Sequence, residues 1–351
     1  MTSEIIIDIN EEFIYFGKSN DEKPRIFPTC LIDENGELPT HYTGIDEEVM
    51  LKSAFKKGQV EDFAVLEQIL TKCFESQSIT AQGQGIFLPQ NINTSRSVQE
   101  KYCEFFFEKC NVEKLAMDTS GALPLKSKGI KTGLCINVGE SFEVVPMFDN
   151  QVNHDLSLSV PLSTRVIRDT LASKLTLDGY YFDKVNHKYL LSHLRDSIGV
   201  VVPDFEEEMK NRFDFQKLIQ IDFTRNEKEY SKEYSFSHSV FWSCETLFNP
   251  KMIMRDIPGI HQLTNEILQS LDNEQYQQIS KNVLINGSAS AISGFNDRFE
   301  KELQNISVLD LNIMFDENNN FSNWLASKSC LENYQHWCSK KKNIWNLDFF
   351  K

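Results

Sequence analysis

The chain has 351 residues, of which 40% are hydrophobic and 25% charged, values typical of a globular protein with several cores or one large bilobal fold. Its net charge of −15 argues against direct contact with nucleic acid, whose phosphates attract clustered lysine and arginine. No apolar run approaches the roughly 20 residues of a membrane helix, and the first ten residues, MTSEIIIDIN, do not resemble a signal peptide. We therefore expect an intracellular protein that contacts other proteins.

The eight cysteines are scattered along the chain, without a CxxC pair or a paired Cys/His spacing. Zinc sites and disulfide frameworks normally show such spacing. Cys103 and Cys110 lie on a helical stretch, where small core residues are expected. The sequence therefore predicts no metal site.

The first half of the chain alternates strand and helix patterns. Two β-branched runs, 4–9 and 13–16, flank Glu11-Glu12 as a hairpin turn. The elements that follow are helix 60–74, strand 85–88, helix 97–110 and the strand pair 133–137 and 142–148. In both strand pairs the first strand ends in an acid or amide, Ile7-Asp8 and then Ile136-Asn137, which indicates an internal repeat.

The second half is mainly helical and has one clear strand. Strands mixed with crossover helices predict the α/β class. The elements are helices 165–175 and 188–200, a polar stretch 227–239, helix 259–270, strand 282–285, a Gly/Ser turn, helix 294–303 and a last helix 323–340.

Three segments resemble actin and actin-related proteins. IIIDINEEFIYFGKSNDEKPRIFPT is similar to the family's first phosphate loop, GLCINVGESFEVVPMF to the second, and NVLINGSASAISGFNDRFEKEL to the adenosine motif. With smaller matches between them, the resemblance extends over nearly the whole chain. It implies an α/β, two-lobed actin-like fold, in which each lobe has a mixed sheet and flanking helices and the lobes close on a nucleotide.

The resemblance also implies a domain organisation. The first lobe is expected at 1–150, with 25–57 as a reduced small subdomain and 307–351 packing back onto it. The second lobe is expected at 151–306.

At the phosphates, the resemblance indicates that the chemistry has been lost. The family's first hairpin is rich in small residues and carries a lysine, because phosphate binding needs accessible backbone N–H groups and positive charge. Here these positions are Asn10, Glu11, Glu12 and Tyr15. We therefore expect two carboxylates where a nucleotide would place its phosphates.

The positions that the family uses for hydrolysis have changed as well. The resemblance places Asn137 at a carboxylate that holds the metal's waters, Ser120 at a water-orienting glutamine and Val144 at a histidine. Neither Ser120 nor Val144 can orient a water or relay its proton in the same way. Asp8 remains, but one carboxylate makes a poor Mg²⁺ site, and it also suits a polar strand end. We expect a pseudo-ATPase without catalytic residues.

The nucleoside half retains more of the family pattern. Arg195 and Asp196 lie where the family contacts base and ribose, although a surface ion pair explains them equally well. Gly287-Ser288 keeps the small adenosine turn, while Thr164 replaces a glycine beside the ribose. With Asp8 and Gly139, these are the candidate nucleotide-binding residues. We expect no cofactor, or weakly bound ADP or ATP.

Two surface features bear on assembly. The segment between Pro28 and Lys57 is shorter than in the family and lacks the inserting loop of filament subunits, with Tyr42-Thr43-Gly44 closing the gap. The loop with Met252-Ile253-Met254 is full length, and its apolar tip indicates either a partner or packing onto its own lobe.

These features predict a non-hydrolysing structural subunit of a larger complex, either cytoskeletal, as in filament capping at the pointed end of dynactin, or chromatin-associated. Actin or actin-related proteins are expected partners, and neither nucleic acid nor membrane is contacted directly. The expected location is the cytoplasm and cytoskeleton, with the nucleus as the alternative. The alternative function is an actin-fold subunit that keeps ADP or ATP as a structural ligand or retains slow ATPase activity; a working phosphohydrolase or small-molecule kinase is disfavoured by Asn137 and Ser120.

Overall fold

The computed structural model describes residues 3–39, 50–177, 179–182, 187–210, 217–225, 228–236, 238–316, 322–332 and 334–339. The chain divides into two compact units. Unit 1 contains the described residues of 3–39, 51–131 and 322–339, and unit 2 contains Met50 and the described residues of 132–316. The division falls between Lys131 and Thr132, whereas the sequence predicts the lobe boundary at 150. The strand pair expected to end the first lobe therefore lies in unit 2.

The strands of the described residues in chain order are β1 (Ile5–Ile9), β2 (Phe13–Lys18), β3 (Arg25–Pro28), β4 (Cys30–Ile32), β5 (Leu51–Ser53), β6 (Phe55–Lys56), β7 (Gln59–Val60), β8 (Gly85–Gln90), β9 (Lys114–Thr119), β10 (Gly133–Val138), β11 (Phe142–Phe148), β12 (Gln151–Val152), β13 (Leu158–Val160), β14 (Lys217–Arg225), β15 (Lys228–Phe236), β16 (Val283–Asn286), β17 (Ile313–Phe315) and β18 (Cys338–Ser339).

The α-helices of the described residues are α1 (Phe63–Ser76), α2 (Arg96–Cys103), α3 (Leu123–Ser127), α4 (Thr164–Leu177), α5 (His187–Ile198), α6 (Phe205–Lys210), α7 (Ser239–Glu245), α8 (Ile260–Ser270), α9 (Asn273–Ile279), α10 (Phe295–Ile306) and α11 (Ser322–Leu331). A π-helical stretch, Glu104–Lys109, continues α2, and three short 3-10 helices cover His154–Leu156, Pro250–Ile253 and Ser288–Ala291. None of these helices has both the length and the apolarity to cross a membrane.

Unit 1 is built on a mixed sheet of order β18-β9-β8-β1-β2-β3. β1 pairs antiparallel with β2 and parallel with β8. Ile5 and Ile7 belong to one core, which includes α1, while Ile6 faces a second core with Trp324 of α11. Since both faces of the sheet are covered, β1 is a continuous apolar run rather than an alternating one.

The described residues of 322–339 belong to unit 1. Trp324 Nε1 donates a hydrogen bond of 3.3 Å to the Ile6 carbonyl, whereas residues 307–316 belong to unit 2. The predicted helix 323–340 is wrong beyond Leu331, where α11 ends. The rings of Tyr334 and Trp337 pack edge-on against Phe87, and β18 pairs with β9. The contacts of these aromatic rings and the pairing of β18 hold the chain in a non-helical path after Leu331.

Unit 2 has its own mixed sheet of order β12-β11-β10-β16-β17, with β13 also pairing to β11. β10 pairs antiparallel with β11 and parallel with β16. The hairpin and the strand that were predicted at 133–148 and 282–285 are confirmed. A separate apolar cluster joins α4, α5 and α7, with Leu171, Ile198 and Val240 among its members.

The sequence indicates only a polar stretch at 227–239 and misses strand β15 at 228–236, which pairs with β14 over nine residues of each strand. The sequence KEYSKEYS repeats every four residues and has no alternation of apolar and polar residues, so a search for apolar alternation finds no strand there. Tyr42-Thr43-Gly44, expected to close the shortened small subdomain, lies outside the described residues. On either side, β4 and β5 pair with each other.

Candidate nucleotide site

The first hairpin turn closes on itself through the side chain of Asn10. Its Oδ1 accepts hydrogen bonds from the backbone N–H groups of Glu12, at 3.1 Å, and Phe13, at 2.7 Å. Asparagine before a tight turn commonly bonds the backbone two or three residues ahead. A phosphate-binding turn would direct such N–H groups at its ligand. Here two of them are already satisfied within the chain.

Thr29 holds the same turn from the neighbouring strand segment. Its hydroxyl donates to the Glu11 carbonyl, and its backbone N–H donates to the Glu12 carbonyl at 3.1 Å. The side chains of Glu11 and Glu12 are buried, at 6% and 9% exposure, although a solvated hairpin turn would expose them. Glu11 Oε2 lies 3.8 Å from the position that a Cβ on Gly58 would occupy. The carboxylates cannot donate to a phosphate, and the N–H groups of Glu12 and Phe13 already bond Asn10. These groups therefore do not fit a phosphate.

Asp8 lies at the end of β1, opposite Tyr15 across the hairpin. Its carboxyl is buried, and this burial raises the pKa of Asp8 from its ordinary value of 3.8 to about 7. Ser120 follows β9 in the same unit and is also buried, with its N–H bonded to the Gln90 carbonyl at 2.8 Å. A serine side chain is too short to take over a water-orienting role from glutamine at this position.

In unit 2, the amide of Asn137 is held by a buried carboxylate. Asn137 Nδ2 donates to Glu143 Oε2 at 3.5 Å, and Glu143 is fully buried. The two residues pair across β10 and β11. Val144, the next residue of β11, is a core side chain that packs with the sheet's apolar cluster. A neutral amide and an alkyl group cannot exchange a proton with a reacting water as ionisable side chains do.

The turn of the second hairpin is closed around Gly139. Its N–H donates to the Ser141 carbonyl at 3.2 Å. Its carbonyl accepts from both the N–H and the hydroxyl of Thr164, each at 2.9 Å. Thr164 therefore anchors the second hairpin to the start of α4, a role that a glycine side chain could not supply.

Position 287 has no room for a Cβ, because strand β10 of the same unit packs closely against it. Its φ of 103° is unfavourable for other residues, and a Cβ would lie 2.6 Å from both Asn137 Oδ1 and the Val138 carbonyl carbon. Ser290 closes the turn by donating to the Gly287 carbonyl at 2.6 Å, while Ser288 is half-buried. Contacts with β10 are thus sufficient to explain the small residue at this turn.

Arg195 and Asp196 form an ion pair on α5, with Nε 2.7 Å from Asp196 Oδ1. Arg195 is buried, and its Nη1 also approaches the Thr164 carbonyl at 3.4 Å. Asp196 is 44% exposed, so its carboxylate is accessible while the guanidinium is enclosed. Their roles toward base and ribose stay predictions.

The candidate residues are divided between the two units. Asp8, Ser120 and the residues of the first hairpin turn lie in unit 1, and the others lie in unit 2, where Thr164 links two of them by contacting both Gly139 and Arg195. Sequence reasoning did not find Glu143 or the roles of Asn10 and Thr29. Asparagine directly before two acids is a turn signal that could have indicated Asn10. Glu143 and Thr29 carry no sequence signal, because their roles depend on strand register.

The loop after α7 presents a smaller apolar tip than the sequence predicts. Ile253 packs against the main core of unit 2, and Met252 is half-buried. Met254 is fully exposed, at 100%, with a φ of 58°. The fully exposed apolar side chain of this tip is therefore Met254, between the exposed charged residues Lys251 and Asp256.

The two units share one arrangement: a strand that pairs antiparallel with the next strand along the chain and parallel with a later one. This defines an α/β protein with the same strand arrangement in both units, each of which carries one tight hairpin turn. The family model described as Actin matches residues 1–342. The chain therefore belongs to the actin family.

Two curated relatives are similar at low identity. Centractin of Schizosaccharomyces pombe is 22% identical over 320 residues, covering 86% of this chain and 83% of the relative. An actin-like protein of Neurospora crassa is also 22% identical, over 269 residues, covering 75% of this chain and 70% of the relative.

Proposed function

We propose that this chain is a non-hydrolysing actin-related protein that serves as a structural subunit of a larger protein complex, cytoskeletal or chromatin-associated. Family membership and the similarity to centractin support a role among actin-related proteins. Such a chain differs from an ATP-driven filament subunit because it does not hydrolyse ATP.

The observation that carries the proposal is the closed first turn. The Asn10 side chain accepts hydrogen bonds from two backbone N–H groups of the turn, and Glu11 and Glu12 are buried beside them. Two unit charges 4 Å apart interact by about 4 kcal/mol at an effective dielectric near 20, and the sign here would be repulsive for a phosphate. Binding a nucleotide would require breaking the turn's own hydrogen bonds and bringing negative charge toward negative charge.

The positions for hydrolysis support the same conclusion from separate elements. The Asn137 amide is bonded to Glu143, Val144 is a core residue, and Ser120 is short. Asp8 is buried with a pKa of about 7. One carboxylate without partner ligands makes a poor site for the magnesium ion of a nucleotide.

Four measurements test the proposal. The purified chain should release no ADP or ATP on denaturation, should not hydrolyse Mg-ATP above background, and should give flat light scattering under conditions that polymerise actin. The tagged chain, isolated from the cells that make it, should enter a complex with a fixed stoichiometry by native mass spectrometry. Filaments of the isolated chain, or turnover of ATP, would overturn the proposal.

The exposed carboxylate of Asp196 supports a second candidate, a subunit that keeps ADP or ATP as a structural ligand. A ligand that binds only the folded state stabilises it by mass action. Stoichiometric nucleotide in the purified chain, without turnover, would favour this candidate. A rise in melting temperature with added ADP would support it further.

A further inference from the structure

A groove in unit 2 lies between α4, α7 and the turn Pro250–Ile253, on the same loop as Met254. Its volume is about 330 Å³. We refer to it as the α4–α7 groove. Its lining residues are Val166, Asp169, Thr170, Ser173, Lys174, Trp242, Ile253 and Arg255.

The floor of the groove is apolar and firmly held. Val166 is buried in the main core of unit 2, and Ile253 packs against the same core. Trp242 is half-buried on α7. Trp242 and Ile253 keep accessible apolar surface, and an apolar side chain of a partner that covers it stabilises the complex.

Two cations stand beside this floor. Lys174 Nζ lies 3.4 Å from the centroid of the Trp242 ring, so the ammonium group is held over the aromatic face. Arg255 Nη1 donates to the Pro161 carbonyl at 2.7 Å, which fixes the guanidinium and leaves most of its N–H donors for another acceptor. Among the described residues, no carboxylate lies within ion-pair distance, 4.0 Å, of either cation.

The one acid that lines the groove is already neutralised. Asp169 accepts from Arg168 at 3.0 and 3.1 Å and from Arg165 at 3.4 Å. The groove is therefore locally positive on a chain whose net charge is −15. A basic partner, attracted by the chain as a whole, would be repelled at this place.

We propose that the α4–α7 groove binds an acidic segment of a partner protein, in which an apolar side chain is flanked by carboxylates. The apolar side chain covers the accessible surface of Trp242 and Ile253, and the carboxylates accept hydrogen bonds from Lys174 and Arg255. This proposal gives the chemistry of one contact within the complex proposed above, and it rests on that proposed function.

Synthetic amphipathic helices test the groove on the whole chain. The first carries a central phenylalanine flanked by aspartate and glutamate, the second replaces phenylalanine by serine, and the third replaces the acids by lysine. Each is fluorescently labelled and titrated with the protein, with anisotropy as the readout. We expect the first helix to bind, the second to bind more weakly, the third to show no binding, and added salt to weaken the complex.

Charge reversal locates the binding. Lys174→Glu and Arg255→Glu should each weaken the first helix about tenfold, as expected for a charge-assisted contact. Lys301→Glu, an exposed position on α10 with the same change in charge, is the matched control and should leave binding unchanged. Lys174→Gln removes the charge but keeps an apolar stem, and it should weaken binding less than the reversal. Circular dichroism checks that each variant is folded.

Several outcomes would contradict the proposed binding at the α4–α7 groove. These are no binding of the first helix up to about millimolar protein, equal binding of the basic helix, or equal losses for Lys301→Glu and Lys174→Glu. Self-association of the chain that Lys174→Glu abolishes would assign the groove to a second copy instead. If the chain enters its cellular complex and Lys174→Glu does not reduce that assembly, the proposal for the α4–α7 groove is wrong while the proposed function stands. If the unmodified chain enters no complex, the proposed function itself fails.

Discussion

The side-chain amide of Asn137 lies 3.5 Å from the carboxylate of Glu143, and the two residues pair across β10 and β11. Asn137 therefore has a structural role that a carboxylate could not take over. Asn137→Asp would place two acids side by side at a fully buried position, where like charges cannot both ionise at low cost.

We expect Asn137→Asp to be inactive toward Mg-ATP and less stable than wild type, with the loss larger at pH 8 than at pH 6. At the lower pH the two carboxyls can share a proton, and at the higher pH they must both ionise or keep a proton against solution. Urea denaturation at the two pH values measures the loss. Asn137→Asp with Glu143→Gln is the control, since it restores one amide and one carboxylate. ATP turnover by the single variant would contradict our account of the site.

Asp8 gives the fold a pH dependence of defined sign. Its pKa is about 7 in the folded chain, against an ordinary value of 3.8, so between these values the folded state binds more protons than the unfolded one. The stabilising contribution of the protonated carboxyl is full below the lower value and is lost as pH rises through about 7. The slope for one group is at most about 1.4 kcal/mol per pH unit.

Asp8→Asn removes this titration while keeping the size of the side chain. The free energy of unfolding of wild type minus that of the variant should therefore fall between pH 5 and pH 8. Glu245, whose pKa burial raises to about 7, titrates in the same range, but its contribution is common to both chains and cancels. A difference that stays constant over this range would show that Asp8 is already ionised in the fold.

Glu11→Ser with Glu12→Gly tests whether charge keeps phosphates out of the first turn. We expect the double variant to bind ADP and ATP more tightly than wild type, because two buried carboxylates are removed. Adenosine carries no charge, so its binding should change less. Isothermal titration with the three ligands separates these cases, and equal gains for ADP and adenosine would attribute the effect to pocket shape.

Gly287→Ala should destabilise the chain by about 2 kcal/mol or more, since the new Cβ clashes with backbone and adds strain at positive φ. Gly179→Ala is the matched control: φ is 88°, but nothing lies within 4 Å of the added Cβ. The control should show only the conformational cost, roughly 1 kcal/mol. Thermal unfolding measures both, and equal losses would mean that the contact with β10 can relax.

The sequence was sufficient for the hairpins and for the repeat, because apolar runs such as Ile5–Ile7 and the polar strand ends are local features. It could not place the lobe boundary, since β10 joins unit 2 by pairing with β16, far along the chain. The site shows the same division. The residue types at Glu11 and Glu12 indicated lost phosphate chemistry, but neither their burial nor the hydrogen bonds from Thr29 to their carbonyls could be predicted. Such contacts follow from tertiary packing, which local patterns do not specify.

The two neighbours Ile253 and Met254 should respond oppositely to a new charge. Ile253 packs on the core, so Ile253→Asp would bury a carboxylate at its edge and lower stability, and reduced assembly would then follow from unfolding. Met254 is fully exposed at a φ of 58°, a conformation that aspartate tolerates, so Met254→Asp should leave the melting temperature unchanged. If the loop contacts a partner, Met254→Asp should reduce the fraction of tagged chain that enters the complex, whereas Met254→Leu should preserve it. Unchanged assembly of a folded Met254→Asp chain would exclude this loop from the interface.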